Sequence, residues 1–212
     1  AAIFGSIAML FKKKALVKEH TSEYLVAFKP LELLLLLLFL PLITFKVSFH
    51  LLAFTFLVSI LTSITLVFIS SCFRHMNLSI VAPMFNVLPV FLLVLAFFLL
   101  GEQLSAKHLL GVGLILAGTY FLEAEHRSGG WLSPLKKLKS KYMILLFFGF
   151  ILSAIVTISH KVLLGSMQPF TLLFYLYGFQ SLNFFVFSSF VYGGWRDIVH
   201  AYKNAWRDLL GN

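Results

Sequence analysis

The sequence predicts an all-α, polytopic transmembrane helix bundle built from five-span inverted repeats, the second of them incomplete. Composition is the first observation behind this. Of the 212 residues, 60% are hydrophobic and 12% charged, and the mean hydropathy is +0.95. A soluble domain carries roughly 25% charged residues, so too few are present here to cover a water-facing surface. The second observation is that the apolar residues fall in blocks of about 20, the length needed to cross a bilayer core. The third is an internal similarity between the two ends of the chain.

The blocks are bounded as follows. Residues 1 to 10 read as the end of a first span, closed by Lys12, Lys13 and Lys14. Span two covers Glu23 to Phe45 and holds the leucine run Leu33 to Leu38. Span three covers Phe49 to Cys72; Ser59, Thr62, Ser63 and Thr65 dot its face, and Arg74 and His75 follow it. Span four covers Leu78 to Leu100, with Pro83, Asn86 and Pro89 inside it. A short polar turn, Gly101-Glu102-Gln103, leads to span five, Ala106 to Leu122, which carries Gly111, Gly113 and Gly118. The expected roles are bending for the prolines and close helix contact for the glycines. Glu102 is expected to face the positive amino end of span five.

A basic connector, residues 124–141, follows, punctuated by Gly129, Gly130, Trp131 and Pro134. Span six covers Tyr142 to Leu164 and span seven Gln168 to Val191. In the tail, Trp195, Ile198, Val199, Tyr202, Trp206 and Leu209 recur at helical spacing. That pattern suits a helix lying among lipid headgroups, or the approach to an eighth span. Ala1 in place of methionine, and an ending soon after this tail, lead us to expect truncation at both ends.

Ser6 to Leu40 lies on Ser153 to Phe187 without a gap, placing Lys14 on Lys161, Leu16 on Leu163 and Leu25 on Leu172. If spans one and six correspond, the repeat is five spans long. Five is odd, so the second copy crosses in the opposite sense, an arrangement frequent in secondary transporters. The organisation expected is then 1–123 as the first repeat, 124–141 as the connector, and 142–212 as part of the second repeat with the interfacial helix.

The net charge of +9 does not indicate nucleic acid, because the Lys and Arg residues flank apolar segments. Loops following even-numbered spans hold only Lys46, Lys107 and Lys161, and the loops following odd-numbered spans hold the rest. Cytoplasmic loops attract Lys and Arg, which puts the odd-numbered loops inside.

Glu32 is the leading candidate for chemistry, since an ionised carboxylate well inside a span is costly. It reads either as a proton, cation or substrate site, or as a partner for Lys29 one turn away near the interface. Asn86, three residues before Pro89, reads either as a substrate contact beside carbonyls that the proline leaves free or as an interhelical hydrogen bond. Gln180 and Asn183 share a face of span seven, and Ser153, Thr157 and His160 line a stripe of span six. Such hydroxyls either line a pathway or bond to their own helix.

Enzyme signatures are missing: both aspartates, Asp197 and Asp208, lie in the tail, and no zinc-protease, phosphate-loop or nucleophile-elbow pattern occurs. No metal site or cofactor is expected. Cys72 is the only cysteine, so no intrachain disulfide forms.

Asn77-Leu78-Ser79 leading to Pro83, then Leu88-Pro89-Val90, then Leu100 to Ser105, then Gly111 to Gly118, resembles the EamA repeat of the drug/metabolite transporter superfamily. Lys29 is similar to the basic residue common at that point of the repeat. The resemblance runs from residue 1 to about 192 and is strongest from Leu78 to Leu122. It implies ten spans in two inverted repeats, of which this chain carries about seven. It also implies alternating access on small organic solutes, often as an exporter. The expected pathway residues are Glu32, Asn86, Pro89, Thr157, Gln180 and Asn183. Pro83, Gly101, Glu102, Gly111, Gly113 and Gly118 are expected to be structural. The expected partners are a small-molecule substrate and the lipid bilayer, with homo-oligomers allowed. The alternative class is a non-transporting scaffold or receptor-like subunit.

Overall fold

A computed structural model describes residues 2–18, 20–103, 105–125 and 140–191. Most of the basic connector, and the amphipathic tail from Trp195, lie outside the described residues. Among the described residues every regular element is helical. The α-helices are α1 (Ala2–Lys18), α2 (Thr21–Leu36), α3 (Phe49–His75), α4 (Leu78–Met84), α5 (Leu88–Leu100), α6 (Ala106–Glu125), α7 (Lys141–Leu164) and α8 (Pro169–Val191). Among the described residues, five stretches are long and apolar enough to cross a membrane: Thr21–Leu42, Phe49–His75, Leu78–Leu100, Lys141–Leu164 and Pro169–Phe190. The apolar part of α6, Ala106–Phe121, is shorter. The protein is an all-helical, multi-pass membrane protein.

The prolines shape two spans. Span two stops at Leu42 rather than Phe45, because the helix tightens to a 3₁₀ segment, Leu37–Leu42, with Phe39 off helical geometry at φ −102°, ψ 20°. Pro41 lies inside that segment and disfavours α geometry in the residue before it. Span four breaks as well, into α4, a 3₁₀ turn at Phe85–Val87, and α5. Pro89 has no N–H for the Phe85 carbonyl, and Leu88 N–H donates to that carbonyl instead, three residues along. Gly101 ends α5 in the left-handed region at φ 65°, ψ 23°.

The chain divides into two compact units. Residues 1–13 and 68–158 form one, and residues 14–67 and 159–212 the other. The core of the first unit is Cys72, Met143, Leu146 and Phe150. Phe85 meets Phe150 edge-on at 5.2 Å. The close helix approach here is made by Gly149, where an added Cβ would lie 3.1 Å from Ile69 Cγ1. For Gly111, Gly113 and Gly118, expected to give close helix contact, a Cβ would meet nothing within 4 Å among the described residues. The less exposed face of α6 includes Gly111, Val112, Ile115 and Thr119, while Gly113 and Gly118 fall outside it.

In the second unit, α2 and α8 pack along their length and run antiparallel. Leu25 and Val26 cluster with Phe184, Lys29 faces Tyr177, Phe39 stacks on Phe170, and Thr44 bonds to Thr171. Residue numbers thus rise along α2 as they fall along α8. A second cluster joins Val58, Leu163, Met167, Leu172 and Leu176.

Candidate functional site

Helix α2 presents Lys29 and Glu32 three residues apart, hence on one face. Lys29 Nζ lies 2.6 Å from Glu32 Oε2, and their side chains are 8% and 25% exposed. The same ammonium sits 5.2 Å from the centre of the Tyr177 ring on α8, a cation–π distance. Lys29 is eight residues beyond Thr21, where the span begins, so it stands roughly 12 Å along the helix at 1.5 Å per residue. Two charges so placed survive only because each neutralises the other and the aromatic face helps hold the cation.

Two further positions on α8 extend this polar patch. Gln180 lies one turn beyond Tyr177, is 2% exposed, and its Oε1 has no hydrogen-bond partner. Asn183, one turn further on, donates its amide to Ser59 Oγ at 3.0 Å and to Ser63 Oγ at 3.5 Å. Ser59 and Ser63, four apart on α3, are both buried and donate their own protons to the carbonyls of Phe56 and Ser59. Each hydroxyl therefore keeps lone pairs free to accept. His160 also belongs to this unit, and its Nε2 is buried without a partner.

At one end of the α2–α8 pair, the extended segment after Leu42 crosses the start of α8. Thr44 N–H donates to Thr171 Oγ1 at 2.9 Å, and Thr44 Oγ1 lies 3.1 Å from Gln168 Oε1. A cavity of about 200 Å³ lies there, lined by polar groups including Lys46, Ser48 and Ser166. That volume holds several waters or a small solute.

A family model for the EamA-like transporter family matches residues 1–123. The chain belongs to that family. No curated protein and no solved structure matches it. EamA proteins are membrane transporters of the drug/metabolite transporter superfamily, and the several long apolar helices agree with that.

Within this EamA chain, three of the six expected pathway residues, Glu32, Gln180 and Asn183, fall in the second unit around Lys29 and Tyr177. Glu32 does pair with Lys29, yet the pair stands well inside α2 rather than at its end. Asn86 and Pro89 belong to the first unit, at the 3₁₀ turn that splits span four, and both are exposed. Thr157, also in the first unit, is exposed and donates to the Ser153 carbonyl at 2.8 Å.

Tyr177, Ser59 and Ser63 were not singled out by sequence reasoning as site residues. The Ser59–Ser63 spacing of four and the Tyr177–Gln180–Asn183 spacing of three were the available signals. Among the structural residues, Pro83 lies inside α4, and Glu102 is exposed in the turn after Gly101. The amino end of α6 is capped reciprocally: Ser105 N–H donates to His108 Nδ1, and His108 N–H to Ser105 Oγ. No cluster of three or more His, Cys, Asp or Glu side chains able to hold a metal occurs among the described residues.

Proposed function

We propose that this EamA protein is a secondary transporter that exports a small organic metabolite by alternating access. Lys29, Glu32 and Tyr177 lie at its substrate site. The buried Lys29–Glu32 pair against the Tyr177 ring carries this reading. Ionisable groups inside spans are expensive, and they mark substrate and ion routes. Gln180 supports it too, since a buried acceptor without a partner calls for an occupant.

The antiparallel pairing of α2 with α8 supports the inverted architecture behind alternating access. The gapless alignment equates these two helices, and an inverted repeat requires that equivalents run in opposite senses. Shifted by the 147 positions that carry Ser6 to Ser153, Lys18 and Thr21 fall on Gly165 and Gln168. The observed break lies between Leu164 and Pro169.

The test is reconstitution of the full-length protein in liposomes loaded with a metabolite mixture, with export followed by mass spectrometry. Flux of one solute, lost in Glu32→Leu, is the expected result. Absence of flux for every solute, from protein shown to be folded, would favour the scaffold reading. If flux is driven by a proton gradient, Glu32→Gln is expected to uncouple it; unchanged coupling would remove Glu32 as the proton site.

A further inference from the structure

We propose that the cavity at the start of α8 binds a phosphate group, supplied by a phospholipid headgroup or by a free phosphate compound. Its lining carries one charge, the Lys46 ammonium, and no carboxylate. The cavity is separate from the Lys29–Glu32 pair. Thr171, on its wall, precedes Tyr177 by six residues, roughly 9 Å along α8.

The donors and acceptors of the lining residues are unequally used. Gln168 Oε1 accepts from Thr44 Oγ1 at 3.1 Å, and Thr171 Oγ1 accepts from the Thr44 N–H at 2.9 Å. These acceptors are occupied within the protein. The donors are not: Lys46 Nζ, Gln168 Nε2, Ser48 Oγ and Ser166 Oγ have no acceptor among the described residues. An ammonium, an amide and two hydroxyls around one space suit a ligand that accepts. A phosphate group presents oxygens in several directions and carries the charge opposite to Lys46. Hydrogen bonds with an ionised partner are also the strong ones. A cation there would meet the ammonium with no carboxylate to offset it. Helices α3 and α8 begin beside the same space, directly after Ser48 and Gln168, and their first-turn N–H groups add partial positive charge.

Size and position agree. A volume of about 200 Å³ lies below the roughly 300 Å³ at which pockets for drug-sized ligands begin, so an ion or a headgroup fits and a bulky solute does not. The lining segments adjoin the span ends at Leu42, Phe49, Leu164 and Pro169. Span ends stand at the headgroup level of a bilayer, where lysine side chains reach the polar layer. Lys46, Ser48 and Ser166 are exposed, so a ligand enters without a helix moving.

The experiment uses the full-length protein in maltoside micelles, which carry no phosphate. Thermal stabilisation is titrated with inorganic phosphate and with acetate at matched ionic strength. Native mass spectrometry follows retention of added phosphatidylglycerol against diacylglycerol, which lacks the phosphate. Binding is expected in at least one phosphate arm and not with acetate or diacylglycerol. Lys46→Met is expected to weaken it by about tenfold or more, the loss of one charge-assisted contact. Lys46→Arg is expected to retain it, and Ser48→Ala to weaken it less than Lys46→Met does. Lys107→Met removes the same charge from an exposed position on α6 and is expected to bind as the parent does. Lys46 is exposed, so its variants are expected to melt with the parent when no ligand is added.

A response to inorganic phosphate assigns the site to a free phosphate compound, and phosphatidylglycerol retention without that response assigns it to a headgroup. Equal weakening by Lys46→Met and Lys107→Met would overturn the proposal, since net charge alone then accounts for binding. So would acetate matching phosphate, diacylglycerol matching phosphatidylglycerol, or no response of folded protein in either arm.

Discussion

The amide nitrogen of Asn183 lies 3.0 Å from Ser59 Oγ, and Ser59 directs its own proton at the Phe56 carbonyl 2.7 Å away. The serine therefore acts as an acceptor toward α8 while staying satisfied within α3. Interhelical hydrogen bonds of this kind average about 0.6 kcal/mol in membranes. Ser59→Ala is expected to cost about that much, because Ser63 Oγ remains within 3.5 Å of the same amide. Ser59→Val is expected to cost more, about 1–3 kcal/mol, since Ser59 is fully buried and valine puts two methyls where one hydroxyl stood. Unfolding in mixed micelles followed by circular dichroism checks both values and their order.

The Lys29–Glu32 pair makes an asymmetric prediction. Lys29 is the more deeply buried partner, and Glu32 keeps a quarter of its side-chain surface accessible. Glu32→Leu strands a buried ammonium, and about 3 kcal/mol is expected, the low end for breaking a buried pair. Lys29→Met leaves a carboxylate that remains partly accessible, and a smaller loss is expected. The double variant Lys29→Met/Glu32→Leu is expected to recover much of the stability lost in Glu32→Leu, because no charge is then left alone. Equal losses in the two single variants would mean that burial does not set the cost.

Much of this architecture was legible in the sequence, because bilayer thickness sets helix length and proline chemistry sets helix breaks. The break before Pro89 and the left-handed Gly101 follow from single residues with one conformational effect each. The glycines of α6 were not decisive, since a glycine in a span is equally compatible with contact and with openness. Close approach fell to Gly149, for which sequence gave no separate sign. At the site, the i,i+3 spacing of Lys29 and Glu32 forecast their pairing. Their facing Tyr177 depends on how α2 and α8 cross, a tertiary fact that no local pattern encodes. Asn183 was visible as a polar residue in a span, but its partners on α3 were not.

Gly101 offers a local test that is independent of function. An added Cβ would meet nothing within 4 Å, so any cost comes from the backbone at φ 65° alone. Gly101→Ala is expected to destabilise by about 1–2 kcal/mol, the penalty for an L-residue in left-handed geometry. Gly101→Asn is expected to cost less, because asparagine tolerates that region. Thermal melts of the two variants in detergent, read side by side, check the order; a loss in Asn matching that in Ala would point to something other than backbone strain.

Lys13 gives the last prediction. Its Nζ donates to the carbonyls of Phe73, of Arg74 at 3.1 Å, and of Met76 at 2.8 Å, all at the carboxyl end of α3. The final turn of a helix leaves carbonyls without donors and carries partial negative charge, so an ammonium there serves as both donor and counter-charge. Beside it, Lys12 Nζ lies 5.1 Å from the centre of the Phe73 ring. Lys13→Met keeps the length of the side chain and removes the donors, and a loss of about 1–2 kcal/mol is expected, as for a cation in a partly buried helix-end site. Lys14→Met, at an exposed position one residue along, is expected to stay within about 0.5 kcal/mol of the parent. If Lys13 acts as this cap, amide exchange in Lys13→Met should accelerate in the last turn of α3, Ser71 to His75, before it does so at Leu51 to Thr55. Uniform acceleration along α3 would show that Lys13 supports the whole helix rather than its end.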